Sequence, residues 1–166
     1  MVKIGVLSDT HGVFDKAVAD FFGDVDQIWH AGDFGTLEVS VKISALKPLV
    51  GVYGNCDDYR IRTIHPYTQT PEIEGLRFLM MHIGGYPGNY HRDALRLIDI
   101  YKPDVFICGH SHILKVIRDP ARDMMVINPG AAGKEGFHTV RTAIRFGVHN
   151  GQLCDMEVAE WPKNRK

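Results

Sequence analysis

Five polar clusters limit the possible folds of this chain, because each comes directly after an apolar run that is typical of a β-strand. In chain order they read SDTHG at 8–12, AGD at 31–33, GNCD at 54–57, MHIGG at 81–85 and GHSH at 109–112. Segments with helical periodicity separate the early runs, so the order is strand, motif, helix, strand. Such alternation predicts a parallel sheet, and loops at the carboxyl ends of its strands meet at one edge. We therefore expect the five clusters to converge.

The remaining secondary structure follows from periodicity. Strand-like runs lie near 2–7, 27–31, 48–53, 76–81, 104–108, 124–127, 142–148 and 153–159. Segments 13–22 and 91–101 have one apolar face at helical spacing. Segment 36–46 also alternates like a strand, and we favour a helix there because parallel strands require a crossover connection. Asn150-Gly151 splits the last two runs and predicts a hairpin.

The second half of the chain is richer in strands than in helices, so a second sheet packed face to face on the first is the natural way to bury it. The fold class is therefore α/β with a two-sheet core. No repeat, linker or low-complexity tract divides the 166 residues, and we expect one domain over 1–166.

The composition of the chain argues against several classes of function and location. The net charge is −1 and no long basic run occurs, so binding to a nucleic acid backbone has no compositional support. The apolar run before Ser8 is too short for a signal sequence or a membrane span. The cysteines Cys56, Cys108 and Cys154 are far apart and odd in number, which does not suit a disulfide framework. We expect a cytoplasmic protein without a membrane partner.

The clusters together supply seven side chains with oxygen or imidazole donors: Asp9, His11, Asp33, Asn55, His82, His110 and His112. Such donors suit hard to borderline divalent cations, and manganese, nickel, iron, cobalt and zinc are all compatible. Gly32 lets the backbone turn sharply before Asp33. Backbone N–H groups at the glycine-rich turns are expected to help hold a phosphate, namely those of Gly54, Gly109 and Gly130.

This ordered motif set resembles the calcineurin-like metallophosphoesterase superfamily, and above all its small, capless bacterial and archaeal phosphodiesterases. The resemblance runs from Ser8 to His112 and reaches the NPGA turn at 128–131. It implies a four-layer αββα sandwich of two mixed sheets flanked by helices, with two divalent metal ions, manganese first among the candidates. By position, one metal would be held by Asp9, His11, Asp33 and His112, and the other by Asp33, Asn55, His82 and His110. Asp33 would bridge the two.

The implied activity is hydrolysis of a small or activated phosphodiester by in-line attack of a metal-bound hydroxide. The candidate catalytic residues are Asn55, Cys56, Asp57 and His82. Many superfamily members carry His at the position of Cys56, where it protonates the leaving oxygen. The fourth motif reads His82-Ile83-Gly84 rather than His-Gly-His, so a second imidazole is missing there as well.

Two other functions stay open: a protein-interaction scaffold of the same fold, as in a eukaryotic retromer subunit, and a nuclease of the same superfamily. The full ligand set favours catalysis, and the length and charge argue against a nuclease. A homo-oligomer is possible. Among the other histidines, His30 is expected in the core or behind the ligands. Two interpretations stay open for His91: a solvated helix start, which we favour, or a contact of His91 or Arg92 with a substrate phosphate. His65, His138 and His149 are expected at the surface.

Overall fold

The computed structural model describes residues 1–163. It has four helices in this part of the chain, α1 (Lys16–Phe21), α2 (Leu37–Leu46), α3 (Tyr59–Ile64) and α4 (Arg92–Tyr101). The strands of the first half are β1 (Val2–Leu7), β2 (Gln27–His30), β3 (Leu49–Gly51), β4 (Thr68–Gln69), β5 (Glu72–Ile73) and β6 (Leu76–Met81). The second half contributes β7 (Val105–Ile107), β8 (Leu114–Asp119), β9 (Met124–Pro129), β10 (Val140–His149) and β11 (Gln152–Pro162).

The strands form two mixed sheets. The first has the order β11-β10-β1-β2-β3, in which β1, β2 and β3 are parallel and the β10–β11 hairpin joins β1 antiparallel. The second has the order β4-β6-β7-β9-β8, with β5 also paired to β6. Here β6, β7 and β9 are parallel. Each sheet therefore presents the carboxyl ends of three parallel strands, where α/β sheets place their sites.

Successive side chains of a strand point to opposite faces of its sheet, so apolar residues form three cores between four layers. Ile4 and Val6 of β1 face the second sheet and pack with Phe78 and Ile107, while Leu7 faces α1 and α2. A third core lies between the second sheet and α4. Helices thus cover the outer face of each sheet, and the expected four-layer αββα sandwich is confirmed.

Gly5 shows how closely the first layers pack. A Cβ atom at Gly5 would lie 2.3 Å from the ring of Phe22, the residue that ends α1. The fully buried Phe22 ring therefore rests directly on the β1 backbone. This contact brings α1 close to the sheet and fixes the loop that connects them.

All eight strands that the sequence predicted are present, and 36–46 contains helix α2 rather than a strand. Asn150 and Gly151 both have positive φ angles, 51° and 73°, as a two-residue hairpin turn of type I′ requires. The sequence patterns did not indicate α3, β4, β5 or β8, which are short or lie at the edge of the second sheet. Within residues 1–163, no helix has the length and apolar character needed to cross a bilayer.

Candidate metal centre

The predicted ligands gather at the carboxyl ends of parallel strands from both sheets. Asp9 follows β1, Asp33 follows β2 and Asn55 follows β3 in the first sheet, while His82 follows β6 and His110 follows β7 in the second. The two sheets pack face to face, so their strand ends meet above the central core. The site is thus built across both sheets.

The backbone at the site adopts an unusual conformation. Asp9, His11, Asp33, His110 and His112 all have positive φ angles, between 44° and 72°. Such angles are uncommon for residues with a Cβ atom, and non-glycine residues in sparsely populated regions cluster at functional sites. Five of the seven predicted ligands are therefore held in a conformation that their own backbone preferences disfavour.

The two oxygens of Asp9 have different surroundings. Oδ2 accepts the Ser8 hydroxyl at 2.6 Å and the His110 backbone N–H at 3.0 Å. Oδ1 is fully buried and has no hydrogen-bond partner within residues 1–163. It lies 3.7 Å from His11 Nε2 and 3.2 Å from His112 Nε2. Burial raises the pKa of Asp9, but these two imidazoles outweigh it and hold the pKa well below its usual range.

Asp33 lies between the imidazoles of two motifs. Its Oδ1 accepts the Cys56 backbone N–H at 2.8 Å. Its Oδ2 lies 3.7 Å from His11 Nε2 on one side and 3.1 Å from His82 Nε2 on the other. Burial opposes ionisation of Asp33, but the contact to His82 dominates and the pKa is lowered. A carboxylate in this position can serve two cations at once.

His82 is held by a backbone carbonyl. Its Nδ1 lies 2.7 Å from the Ala31 carbonyl oxygen, and because a carbonyl only accepts, Nδ1 carries the hydrogen. Nε2 is buried and has no hydrogen-bond partner in the described part of the chain. Nε2 is therefore the atom that can take a proton or a cation.

These observations fit divalent metal ions. Among the described residues, donor atoms come within 4.8 Å of one another in three sets, one of which includes the Cys56 thiol. The two sets without a thiol we call the first group (Asp9, His11, His112) and the second group (Asp33, His82, His110). Each group contains one of the two buried atoms without a partner. Buried polar atoms are rarely left unpaired, and a cation would satisfy both. Asn55 Oδ1 adds a neutral oxygen 3.0 Å from His110 Nδ1, beside the second group.

Cys56 lies at the exposed rim of the site. Its Sγ comes within 4.8 Å of donor atoms of His11 and Asp33. Partial burial and the Asp33 charge raise the pKa of the Cys56 thiol. At neutral pH the side chain is therefore a thiol rather than a thiolate.

Asp57 was a candidate catalytic residue, but its carboxylate is buried and bound to backbone. Oδ2 accepts the N–H groups of Asp33, Phe34 and Gly54 at 2.9, 3.2 and 2.9 Å. Oδ1 accepts the N–H of Gly35 at 3.0 Å. With both oxygens engaged, Asp57 orders the loops that carry Asp33 and Asn55. Its contacts are those of a positioning residue.

The glycine N–H groups expected to hold a phosphate are already engaged. Gly54 donates to Asp57, Gly109 donates to the His82 carbonyl at 2.9 Å, and Gly130 donates to Asn128 Oδ1 at 3.0 Å. That expectation is wrong for these three N–H groups, because backbone donors inside the fold are first used by acceptors of the protein itself.

His30 is buried as expected, and His65 is not the surface residue that the sequence suggested. The Phe34 ring stacks between them, with centroids 3.6 Å from His30 and 4.6 Å from His65. His30 Nε2 also contacts the Thr10 hydroxyl at 2.9 Å, and His65 Nε2 contacts Ser40 at 2.8 Å. Burial lowers the pKa of His30 to about 3 and also lowers that of His65. Both imidazole rings are therefore neutral, and both pack on Phe34, which lies next to Asp33 in the same loop.

His138 was also predicted at the surface, and this too is wrong. It is half-buried, and its Nδ1 lies 3.2 Å from Nδ1 of the predicted ligand His112. The sequence offered no signal for this contact, because His138 lies on an irregular segment with no motif around it. His91 is exposed and caps α4 by accepting the Asp93 N–H at 3.4 Å, and a contact of His91 or Arg92 with substrate stays a prediction.

The chain is similar in sequence to a known family of phosphoesterases. Residues 2–151 match the model of the calcineurin-like phosphoesterase superfamily domain. A probable metallophosphoesterase of Methanothermobacter thermautotrophicus is 37% identical over 135 residues, which is 77% of this chain and 76% of the relative. Another, of Methanocaldococcus jannaschii, is 36% identical over 140 residues, 77% of this chain and 67% of the relative.

Two solved structures illustrate the fold relationship. A structurally and functionally characterised archaeal phosphodiesterase has a TM-score of 0.72 and 26% identity, covering 95% of this chain and 100% of that one. Vps29 of Chaetomium thermophilum has a TM-score of 0.76 and 18% identity, covering 99% and 100%. At that identity the second likeness shows the fold alone.

Proposed function

The chain belongs to the calcineurin-like phosphoesterase superfamily, and on that premise we propose that it is a binuclear metal-dependent phosphodiesterase acting on small or activated phosphodiesters. The observation that carries the proposal is the position of Asp33. Its Oδ2 lies 3.7 Å from His11 Nε2 and 3.1 Å from His82 Nε2, which belong to different groups. Asp9 Oδ1 also lies near both atoms, but at the longer distances of 3.7 and 3.8 Å. A carboxylate between two sets of imidazoles suits two cations better than one.

The residues of the two groups have separate tasks in this proposal. Asp9, His11 and His112 would hold one cation, and His82, His110 and Asn55 the other, with Asp33 shared. When bound, two divalent cations lower the pKa of a water molecule and neutralise phosphoryl oxygens. The donor set is compatible with manganese, which we propose first, and also with nickel, iron, cobalt or zinc.

The proposed preference for substrates with good leaving groups rests on Cys56. An alkoxide leaving group requires a proton, and a thiol, with a reference pKa of about 8.5, is a poor substitute for an imidazole as the proton donor. Activated diesters release groups that need little protonation. The similarity to a characterised archaeal phosphodiesterase supports the same substrate class.

A scaffold without turnover is the alternative that this fold allows, since Vps29 proteins share it. The buried donors without partners support metal binding, which a metal-binding scaffold would share, so turnover is the property that separates the two functions. The net charge of −1 gives no support for a nuclease.

The decisive experiment compares bis-nitrophenyl phosphate with nitrophenyl phosphate after reconstitution with manganese and, in parallel, with zinc, nickel and cobalt. We expect turnover of the diester well above that of the monoester. Metal content is measured on the same samples. Two bound metals with no turnover of either ester would favour the scaffold, and faster turnover of the monoester would contradict the diester preference.

A further inference from the structure

Residues 133–138, which we call the 133–138 segment, run from the end of the NPGA turn past two of the predicted ligands. The start of the segment is firmly held. The Gly133 N–H donates to the Asp9 carbonyl at 3.1 Å, and a Cβ atom at Gly133 would lie 2.2 Å from the Thr10 carbonyl oxygen. The buried Arg141 guanidinium donates to the Ala132 carbonyl at 2.7 Å. The segment is therefore anchored directly on the first motif.

The middle of the segment packs on His112. A Cβ atom at Gly136 would lie 2.3 Å from His112 Nδ1, and Gly136 has a φ angle of +118°. Only a glycine in this conformation lets the backbone approach the ring so closely. The next residue, Phe137, is fully exposed. The contact with His112 is thus made by the backbone and by His138, and Phe137 takes no part in it.

His138 fixes the orientation of His112 through a chain of hydrogen bonds. His138 Nε2 lies 2.9 Å from the Gly133 carbonyl oxygen, so Nε2 carries the hydrogen and Nδ1 of the neutral ring is an acceptor. His112 Nδ1, 3.2 Å away, must then donate to it. The lone pair of His112 is left on Nε2, which lies 3.2 Å from Asp9 Oδ1. The coordinating atom is therefore selected by His138.

The other imidazole of the first group also faces the segment, through a longer contact that is not a hydrogen bond. His11 directs Nε2 towards Asp9 and Asp33, and its Nδ1 lies 3.7 Å from a carboxylate oxygen of Glu135 on the segment. A hydrogen-bonded partner on the non-coordinating nitrogen orients a metal-binding histidine and raises its basicity. On this segment His138 makes such a hydrogen bond, whereas the Glu135 carboxylate contributes only a nearby charge. Both imidazoles of the first group are thus contacted from behind by the 133–138 segment.

The second group is oriented by other parts of the chain. His82 Nδ1 donates to the Ala31 carbonyl after β2, and His110 Nδ1 contacts Asn55 after β3. We propose that the 133–138 segment controls the first group alone and so sets the affinity of one metal site independently of the other. This rests on the proposed two-metal function, and it identifies His138 as a positioning residue that acts through His112.

The test is metal stoichiometry and affinity, measured by elemental analysis and manganese titration on full-length protein. His138→Phe keeps an aromatic ring but removes the acceptor, and we expect affinity at one site to fall by about 10- to 100-fold while the other is unchanged. His138→Asn, which keeps an acceptor near the Nδ1 position, should recover part of the loss. Phe137→Ala is the matched control on the same segment and should bind metal as the wild type does.

A second pair of variants identifies the affected site. Asn55→Ala removes the neutral oxygen beside the second group and should leave mainly the first site occupied. Adding His138→Phe to Asn55→Ala should then empty that site, whereas adding it to His112→Ala should change nothing further. Thermal unfolding of the metal-free variants checks that each is folded.

The results can distinguish failure of the role of the 133–138 segment from failure of the binuclear centre. Wild-type affinity in His138→Phe, or an equal loss at both sites, would overturn the role of the segment. A wild-type protein that binds fewer than two cations would instead contradict the proposed binuclear centre.

Discussion

The Asp57 carboxylate accepts the backbone N–H of Asp33 at 2.9 Å, so a side chain of the third motif holds the residue that lies between the two ligand groups. The same oxygen also accepts the N–H of Gly54, in the loop that carries Asn55. Two motifs from different strands are therefore locked together behind the site. Ligand position depends here on a residue that touches no proposed cation.

Asp57→Asn should weaken both folding and metal binding. An amide has one acceptor oxygen where the carboxylate has two, and its NH2 group would face backbone donors. We expect a loss of about 2 kcal/mol in the free energy of unfolding, measured in urea. Manganese affinity should fall by about 10- to 100-fold. Asp58→Asn is the control, because the exposed Asp58 caps α3 and asparagine caps equally well. Identical behaviour of the two variants would disprove this role.

Gly32→Ala should displace His82. Gly32 has a φ angle of +103°, and a Cβ atom there would lie 2.6 Å from His82 Nδ1. Gly75→Ala is the control, since Gly75 has a φ angle of +84° but open space around it. We expect Gly75→Ala to cost about 1–2 kcal/mol in unfolding free energy and to keep its metals. Gly32→Ala should cost more and lose metal. Equal metal content in the two variants would show that the His82 ring can move without loss of metal.

The two-sheet core and the convergence of the five motifs could be predicted from the sequence because both follow local rules, whereas the four layers were implied by the family resemblance. The strand-like apolar runs identified strands of both sheets. The five polar motifs that follow such runs identified side chains that lie close together in the structure. The positions of His65 and His138 could not be predicted in this way, since His65 is buried by stacking on Phe34 and His138 by contact with His112. Asp57 lies within a motif, but only the structure shows that its oxygens are already engaged by backbone. Short edge strands such as β4 carry too few residues for a pattern.

Asp33→Ala should remove both cations, because its Oδ2 faces His11 and His82 at once. Asn55→Ala removes a neutral oxygen beside the second group only, and we expect it to retain one cation. Elemental analysis after desalting measures both variants, with diester turnover recorded in parallel. Retention of one cation in Asp33→Ala would show that the carboxylate does not bridge.

His65 should make stability depend on pH. Burial lowers the pKa of the folded-state imidazole below its unfolded value of about 6.5. Between these pKa values the unfolded chain binds more protons, so stability is fully present above pH ~6.5 and is lost as pH falls. His65→Phe keeps the stacking on Phe34 and removes the titration. In EDTA, urea unfolding at pH 5 and pH 7.5 should differ less for this variant than for the wild type. An unchanged difference would mean that folding does not shift the pKa of His65.

Cys56 offers the most specific test of substrate preference. Its backbone N–H donates to Asp33 Oδ1 at 2.8 Å, and any residue other than proline preserves that bond. Cys56→Ala should therefore keep both metals and substantial turnover of nitrophenyl diesters, whose leaving groups need no acid. In the wild type, the rate should depend steeply on the pKa of the leaving group, because the thiol is a weak proton donor. Cys56→His places an imidazole at the same rim and should raise activity on monoesters and on diesters with poor leaving groups. If Cys56→Ala keeps both metals yet loses all turnover, the thiol takes part directly in the reaction.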